Sequence, residues 1–181
     1  MEKSEIVELF NKNQVFWTDG SCSCNPGPGG FGVISLKVEE LDNGKIRKYI
    51  NYAYSEECEH TTNNREELKA ILHVYKYFAP EKQSDETVVI FTDSGYCYNL
   101  INSWIWIWCE NDWRKSSTNK VVDNVDLIKE LFKYLCKFPN IEVHKVKGHK
   151  DILENELADA LATGNKTKFL NLCKKNNIED F

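Results

Sequence analysis

The spacing of apolar and polar positions changes several times along the chain, and each change marks an element. QVFWTD at 14–19 is dense in β-forming residues and stops at Gly20. SCSCNPGPGG at 21–30 crowds Pro and Gly into its second half and predicts a loop. FGVISLKV at 31–38 predicts a second strand, Asn43-Gly44 a tight hairpin turn, and KIRKYINYAY at 45–54 its partner, with Ile46, Lys48, Ile50 and Tyr52 at alternate positions. The period then lengthens. Leu68, Ile71, Leu72, Tyr75 and Phe78 form one stripe of a helix over about 64–78, which Pro80 ends. TVVIFTD at 87–93 is apolar without alternation, as a strand buried on both faces should be. Helices are predicted over about 95–109 and 125–136, the latter with Val125, Ile128, Leu131, Phe132 and Leu135 on one side. IEVHKV at 141–146 predicts a fifth strand, and ENELADALAT at 154–163 a last helix before Gly164.

The order is βββαβααβα. Three antiparallel strands followed by strand–helix–strand steps imply an α/β fold with a mixed five-stranded sheet, the later strands parallel, flanked by helices. Residues 1–13 read as an N-terminal extension, a short helix or a fraying end; 14–163 as one domain; and 164–181 as a polar C-terminal tail, basic and then acidic at its end. A length of 181 residues suits a single domain with its own core. No apolar run approaches the ~18 residues of a membrane helix, and the N-terminus has no signal-like apolar stretch. A monomer inside the cell, cytoplasmic or nuclear and without membrane contact, is the expectation.

Charge narrows the chemistry. The 23 basic and 28 acidic residues leave a net −5, so a polyanion would have to be met by a local basic patch or by bound cations. The seven cysteines are odd in number and irregular in spacing, which predicts free thiols. Cys22-x-Cys24 and Cys58-x-His60 lack the spacing of structural zinc motifs.

Two aspartates stand at strand ends, Asp19 in WTDGS and Asp93 in FTDSG. Ligands of open α/β sheets sit outside the carboxyl ends of strands. Either aspartate alone caps the following turn well. Two on adjacent strands repel unless a cation lies between them, which favours metal binding. On the helix at 64–78, Glu67 lies about 75° from the centre of the apolar stripe and can border the packed face, whereas Glu66 falls nearly opposite and should point to water. The last helix offers Glu154, Glu156 and Asp159, and a helical wheel does not choose among them. His149, in VKGHKD, reads equally as a proton shuttle and as a surface histidine.

Together these segments resemble type 1 ribonucleases H. The resemblance rests on WTDGSCSCNPGPGGFG (17–32), TTNNREELKA (61–70), FTDSGY (91–96), WIWIWCENDW (104–113), NVDL (124–127), VKGHKD (146–151) and ENELADALA (154–162), in the family's order. It implies the ribonuclease H-like fold and hydrolysis of the RNA strand of RNA–DNA hybrids to 5′-phosphate and 3′-hydroxyl products. It implies Asp19, Glu67, Asp93 and Asp159 as catalytic acids holding two Mg2+ ions, with Mn2+ as a substitute, and His149 as an aid to proton transfer or product release. Glu156 would tune the site from outside it. For the substrate, the resemblance implies Cys22, Asn25, Asn63 and Asn64 in the hybrid's minor groove, Trp104 and Trp108 along the DNA strand, and Thr62 and Asn124 at a DNA phosphate.

The chain departs from the family at three places. His60 stands where an arginine often precedes that threonine by two residues. The 109–124 segment balances Arg114, Lys115 and Lys120 against Glu110, Asp112 and Asp123, where many relatives are basic, so weaker hybrid affinity is expected. No separate hybrid-binding domain fits before the first strand. A four-acid proofreading exonuclease is disfavoured because Asp19-Gly20-Ser21 supplies no second acid. A catalytically dead hybrid-binding module is disfavoured because all four acids are present.

Overall fold

The computed structural model describes residues 13–78, 87–147 and 152–179. Pro80, His149 and Lys150, and the extension before Asn13, lie outside the described residues. The elements are β1 (Asn13–Cys22), β2 (Gly27–Glu40), β3 (Ile46–Thr61), α1 (Asn63–Phe78), β4 (Thr87–Thr92), α2 (Gly95–Asn99), α3 (Ile105–Glu110), α4 (Val125–Lys137), β5 (Ile141–Lys145), α5 (Leu153–Ala162), α6 (Lys166–Lys175) and β6 (Ile178–Glu179). The sheet order is β5-β4-β1-β2-β3-β6. β1, β2 and β3 are antiparallel, while β4 lies parallel to β1, β5 to β4 and β6 to β3. The mixed sheet and its topology are as expected; among the described residues it has six strands rather than five, because the tail adds β6.

Residue alternation splits the core between the two sheet faces. Phe16, Phe31, Val33, Val88 and Ile90 join Leu68, Ile71 and Tyr75 of α1 and Ile128 and Leu131 of α4 on one side. Val15, Trp17, Ile34, Leu36 and Val89 join Leu157 and Ala158 of α5 and Cys173 of α6 on the other. β4 therefore is buried on both faces, which is why its sequence carries no alternation. The period-2 reading of β3 fails at one point. Ser35 pairs with Tyr52 but Leu36 pairs with Ile50, so Asn51 is the extra residue of a bulge. Ile50 consequently packs on the α5 side and Tyr52 on the α1 side.

Three further expectations are corrected. Most of the 21–30 segment is strand, not loop: Ser21 pairs with Gly30 and Cys22 with Gly29, leaving residues 23–26 as the turn. Gly29 and Gly30 mark close backbone approaches, to Ser21 O and to Glu56 O, rather than turns. The helix over 95–109 is interrupted by a π-helical turn, Leu100–Trp104. Side chains supply bonds to carbonyls around it, Asn102 Nδ2 donating to Tyr98 O (2.9 Å) and Trp106 Nε1 to Ile101 O (3.1 Å). Glu66 does not face water; it is fully buried. The wheel considers only the sheet below α1, but the long end of β3 also covers the first turn. Thr61 Oγ1 donates to Glu66 Oε1 at 2.6 Å, and Lys69 Nζ lies 2.9 Å from it.

The seat of α5 depends on Gly32. A Cβ there would lie 2.4 Å from Ala158 O and 2.7 Å from Ala162 N, so helix backbone rests directly on β2. Gly32→Ala should destabilise the protein by about 1–3 kcal/mol in urea denaturation, the usual range for overpacking. A loss below ~0.5 kcal/mol would show that α5 can slide off the strand without resistance.

Candidate active site

The parallel register of β1 and β4 sets two side chains at once. Thr18 pairs with Thr92, so Asp19 and Asp93, the next residue on each, emerge side by side where the β1–β4 pairing ends; β1 does not stop there, as its sequence suggested, but runs on to Cys22 against β2. Trp17 stacks on Phe91 (centroids 4.5 Å apart) and Thr18 Oγ1 donates to Phe91 O (3.3 Å), which holds the strands together just behind the acids. Beyond Asp93 the chain turns at once: Ser94 N donates to Thr92 Oγ1 (3.1 Å) and Ser94 Oγ caps α2 by accepting from Cys97 N (3.3 Å).

Glu67 joins them because Gly20 has no side chain. A Cβ at Gly20 would lie 2.2 Å from Glu67 N and 2.6 Å from Glu66 C, so the first turn of α1 rests on the end of β1. Carboxylate oxygens of Asp19, Glu67 and Asp93 all lie within 4.8 Å of one another. Asp159, from α5, lines the same cleft of about 510 Å3, together with Ser21, Asn63, Asn64 and Tyr96. Asn63 Nδ2 reaches Glu67 Oε1 (3.5 Å), and Asn155 Nδ2 donates to Asp93 Oδ2 (3.2 Å). Lys168 of α6 is ion-paired with Asp159.

These carboxyls are held against their own charge. Asp19 is 6% exposed, and burial, then Asp93, then Asp159, push its pKa up to about 7 despite the Gly20 N–H bonded to it and the nearby Lys168. Glu67 is raised well above the ordinary carboxylate range, by burial first and then by Asp19 and Asp93. Its Oε2 is buried and has no hydrogen-bond partner among the described residues. Buried charge, an orphaned oxygen and an all-carboxylate donor set suit a hard divalent cation, which takes oxygen ligands and relieves the repulsion.

The other sequence-marked residues surround this cluster. Cys22 Sγ donates its one hydrogen to Cys24 O (2.9 Å), with Thr61 O (3.4 Å) and Gly27 O (3.5 Å) also close by, and so braces the β1–β2 turn. Asn25 Oδ1 accepts from Asn63 N (3.3 Å), tying that turn to α1. Thr62 O accepts from the N–H groups of Arg65 and Glu66. Arg65 Nη1 donates to Asn124 Oδ1 (3.4 Å) and the guanidinium pairs with Asp126, so Arg65 links the start of α1, next to Thr62, to Asn124. Trp104 and Trp108 lie 5.7 Å apart, half-buried, and Tyr96 reaches Trp104 at 6.0 Å. An aromatic ledge therefore runs out of the cleft. Sequence reasoning did not single out Tyr96, Asn155 or Lys168. The first two lie inside quoted motifs and were within reach; Lys168 lies beyond a helix break and stood out only as one of the tail's lysines, which are candidate basic contacts.

The protein-family model for RNase H matches residues 11–166. The chain belongs to the RNase H family. A curated Ribonuclease H of Caldicellulosiruptor saccharolyticus is 40% identical over 152 residues, 83% of this chain and 94% of that one. One of Rhodopseudomonas palustris is 40% identical over 163 residues, covering 90% and 95%. The crystal structure of LC9-RNase H1, described as a type 1 RNase H with the type 2 active-site motif, matches with a TM-score of 0.63 at 26% identity, over 83% of this chain and 71% of that one. As an RNase H, the chain is a nuclease of the hydrolase class, and its fold is the ribonuclease H fold expected from sequence. No helix of the described residues is long and apolar enough to cross a membrane.

The raised pKa of Asp19 has a consequence for the metal-free protein. The group titrates near 3.8 when unfolded and near 7 when folded. The folded state therefore binds the extra proton, and stability present below pH 4 is lost as pH rises through 7. In chelator at pH 8, Asp19→Asn should raise stability by about 2–4 kcal/mol, with almost no gain at pH 4. Thermal denaturation at both values checks this; an equal effect at the two would mean that Asp19 carries no electrostatic strain.

Proposed function

We propose that this RNase H hydrolyses the RNA strand of RNA–DNA hybrids at the carboxylate cleft, leaving 5′-phosphate and 3′-hydroxyl ends. The observation that carries the reading is the convergence of Asp19, Glu67 and Asp93, from three separate elements, to within 4.8 Å. Asp159 faces the same cleft. Curated relatives at 40% identity bear the name Ribonuclease H, which supports the substrate. The nuclease core is assigned to residues 14–163, and 164–181 add α6 and β6 to it.

Asp19, Glu67, Asp93 and Asp159 would hold two Mg2+ ions, or Mn2+ in their place. Bound there, the ions supply Lewis-acid activation of water and neutralise charge on the scissile phosphate. The protein's own groups do the positioning. Asp19 and Asp93 are fixed by the strands. Glu67 is kept in place by the Gly20 contact, and Asn155 holds one oxygen of Asp93. In the reaction a water oxygen bonds to phosphorus as the bond to the 3′-oxygen breaks, and the 3′-oxygen gains a proton. His149 is assigned to proton transfer or product release.

Substrate contacts are assigned from the family resemblance, and the cleft's surroundings support them. Asn63 and Asn64 line it, and Cys22 and Asn25 shape the adjacent turn; together these are assigned to the minor groove, where the 2′-hydroxyl distinguishes the RNA strand. The Tyr96–Trp104–Trp108 ledge is assigned to the DNA strand, since aromatic faces accept any sugar or base. Thr62 and Asn124, joined through Arg65, are assigned to a DNA phosphate.

The test is cleavage of a labelled RNA–DNA hybrid with Mg2+, beside RNA–RNA and DNA–DNA duplexes. Only the RNA of the hybrid should be cut, and Asp93→Asn should lose at least about 100-fold, because ion-supplied stabilisation is worth several kcal/mol. Hybrid binding without cleavage, in Mg2+ and in Mn2+, would replace this reading with that of a binding module.

A further inference from the structure

The tail after Gly164 is not an appendage. α5 ends in a Schellman turn: Gly164 has φ +63°, Asn165 N donates to Ala160 O (2.8 Å) and Gly164 N to Leu161 O (3.1 Å). The reversal starts α6 beside α5, with Asn165 Oδ1 capping it by accepting from Lys168 N (3.0 Å). Phe169, Leu172 and Cys173 then pack into the core between sheet and helices. At the far end Ile178 pairs with Lys48 in β3 and is buried, and Glu179 is ion-paired with Arg47. α6 is thus pinned at both ends, and its first turn carries Lys168 onto Asp159.

We propose that Lys168 is a resident counter-ion of Asp159, one that a divalent cation must displace to use that carboxylate. This deepens the proposed function and rests on it. The side chains of Lys168 and Asp159 are 40% and 20% exposed, so the pair stands at the cleft rim and can open without disturbing the core. The oxygens of Asp19, Glu67 and Asp93 form a separate tight cluster that does not include Asp159. The chain thereby divides its four acids into a three-carboxylate site and a single carboxylate already paired. An ion held by the three feels Lys168 only at a distance, through its weak effect on Asp19. An ion that needs Asp159 competes with an ammonium delivered on a short, anchored helix. Lys168 acts through Asp159 and is a positioning residue, setting the difference in affinity between the two ion sites.

The experiment is Mn2+ titration of the full chain, followed by electron paramagnetic resonance and calorimetry, with the Mg2+ dependence of hybrid cleavage measured in parallel. Wild type should show a tighter and a weaker binding phase. Lys168→Gln should tighten the weaker phase about two- to fivefold, the range set by a partly exposed ion pair, and move the tighter phase by a smaller factor. The Mg2+ needed for half-maximal cleavage should fall with it. Lys168→Arg should behave as wild type, and Lys175→Gln, which removes a charge from the same helix, should alter neither phase. Melting curves establish that the variants fold. The proposal is overturned if Lys168→Gln leaves the weaker phase unmoved while KM for the hybrid rises, which would make Lys168 a phosphate contact, or if Lys175→Gln tightens it equally. Mn2+ binding lost in Asp93→Asn but indifferent to Lys168 would overturn this role alone. No Mn2+ binding that Asp93→Asn removes would overturn it together with the metal site.

Discussion

Mutual repulsion among buried carboxylates is the constraint around which this protein is organised. Asp19 and Glu67, both buried, and the half-buried Asp93 are brought closer than separate charges would choose, in a place where water screens them poorly. A free chain would not adopt that arrangement. It exists because the apolar packing behind it is extensive, with side chains from both sheet faces closing on β1 and β4. The folding free energy of the core holds the acids together, and the raised pKa of Asp19 reflects what opposes it, burial first and then Asp93 and Asp159.

The geometry is set by backbone approach as much as by side-chain packing. Gly20 lets α1 touch the end of β1, and Gly32 lets α5 touch β2. Each contact delivers one acid, Glu67 in the first case and Asp159 in the second. The parallel pairing of β1 with β4 delivers the other two. Three packing events, each with its own sequence requirement, thus meet in one cleft. Movement of either helix by the width of a methyl group would separate its acid from the rest.

The same charge economy extends to the surroundings. A chain of net −5 with an electrically balanced 109–124 segment has little general attraction for a polyanion. Its cleft instead opens onto an aromatic ledge, where contact depends on stacking rather than charge. Lys168 places one cation against the acids, and α6 and β6 keep it there.

Much of this was legible in the sequence. The unbroken apolar run at 87–93 announced a strand buried on both faces, the stripe on α1 put Glu67 at the edge of the packed side, and TDS marked the end of β4. These features are local or periodic, so each window of sequence carries its own evidence. Most of the misplaced features were non-local. Glu66 is buried because β3 continues over α1, which no wheel of α1 can show. The glycines of 21–30 read as a loop because their partners, on α5 and β3, are distant in sequence. Lys168 is nine residues from Asp159 and across a helix break, a separation at which no spacing rule predicts contact. The sequence by itself marked most of the elements, their order and the candidate acids. Only the tertiary structure decided which of those acids share a cluster and which is paired with a lysine, because charge interactions depend on distances through space that arise when separate elements pack.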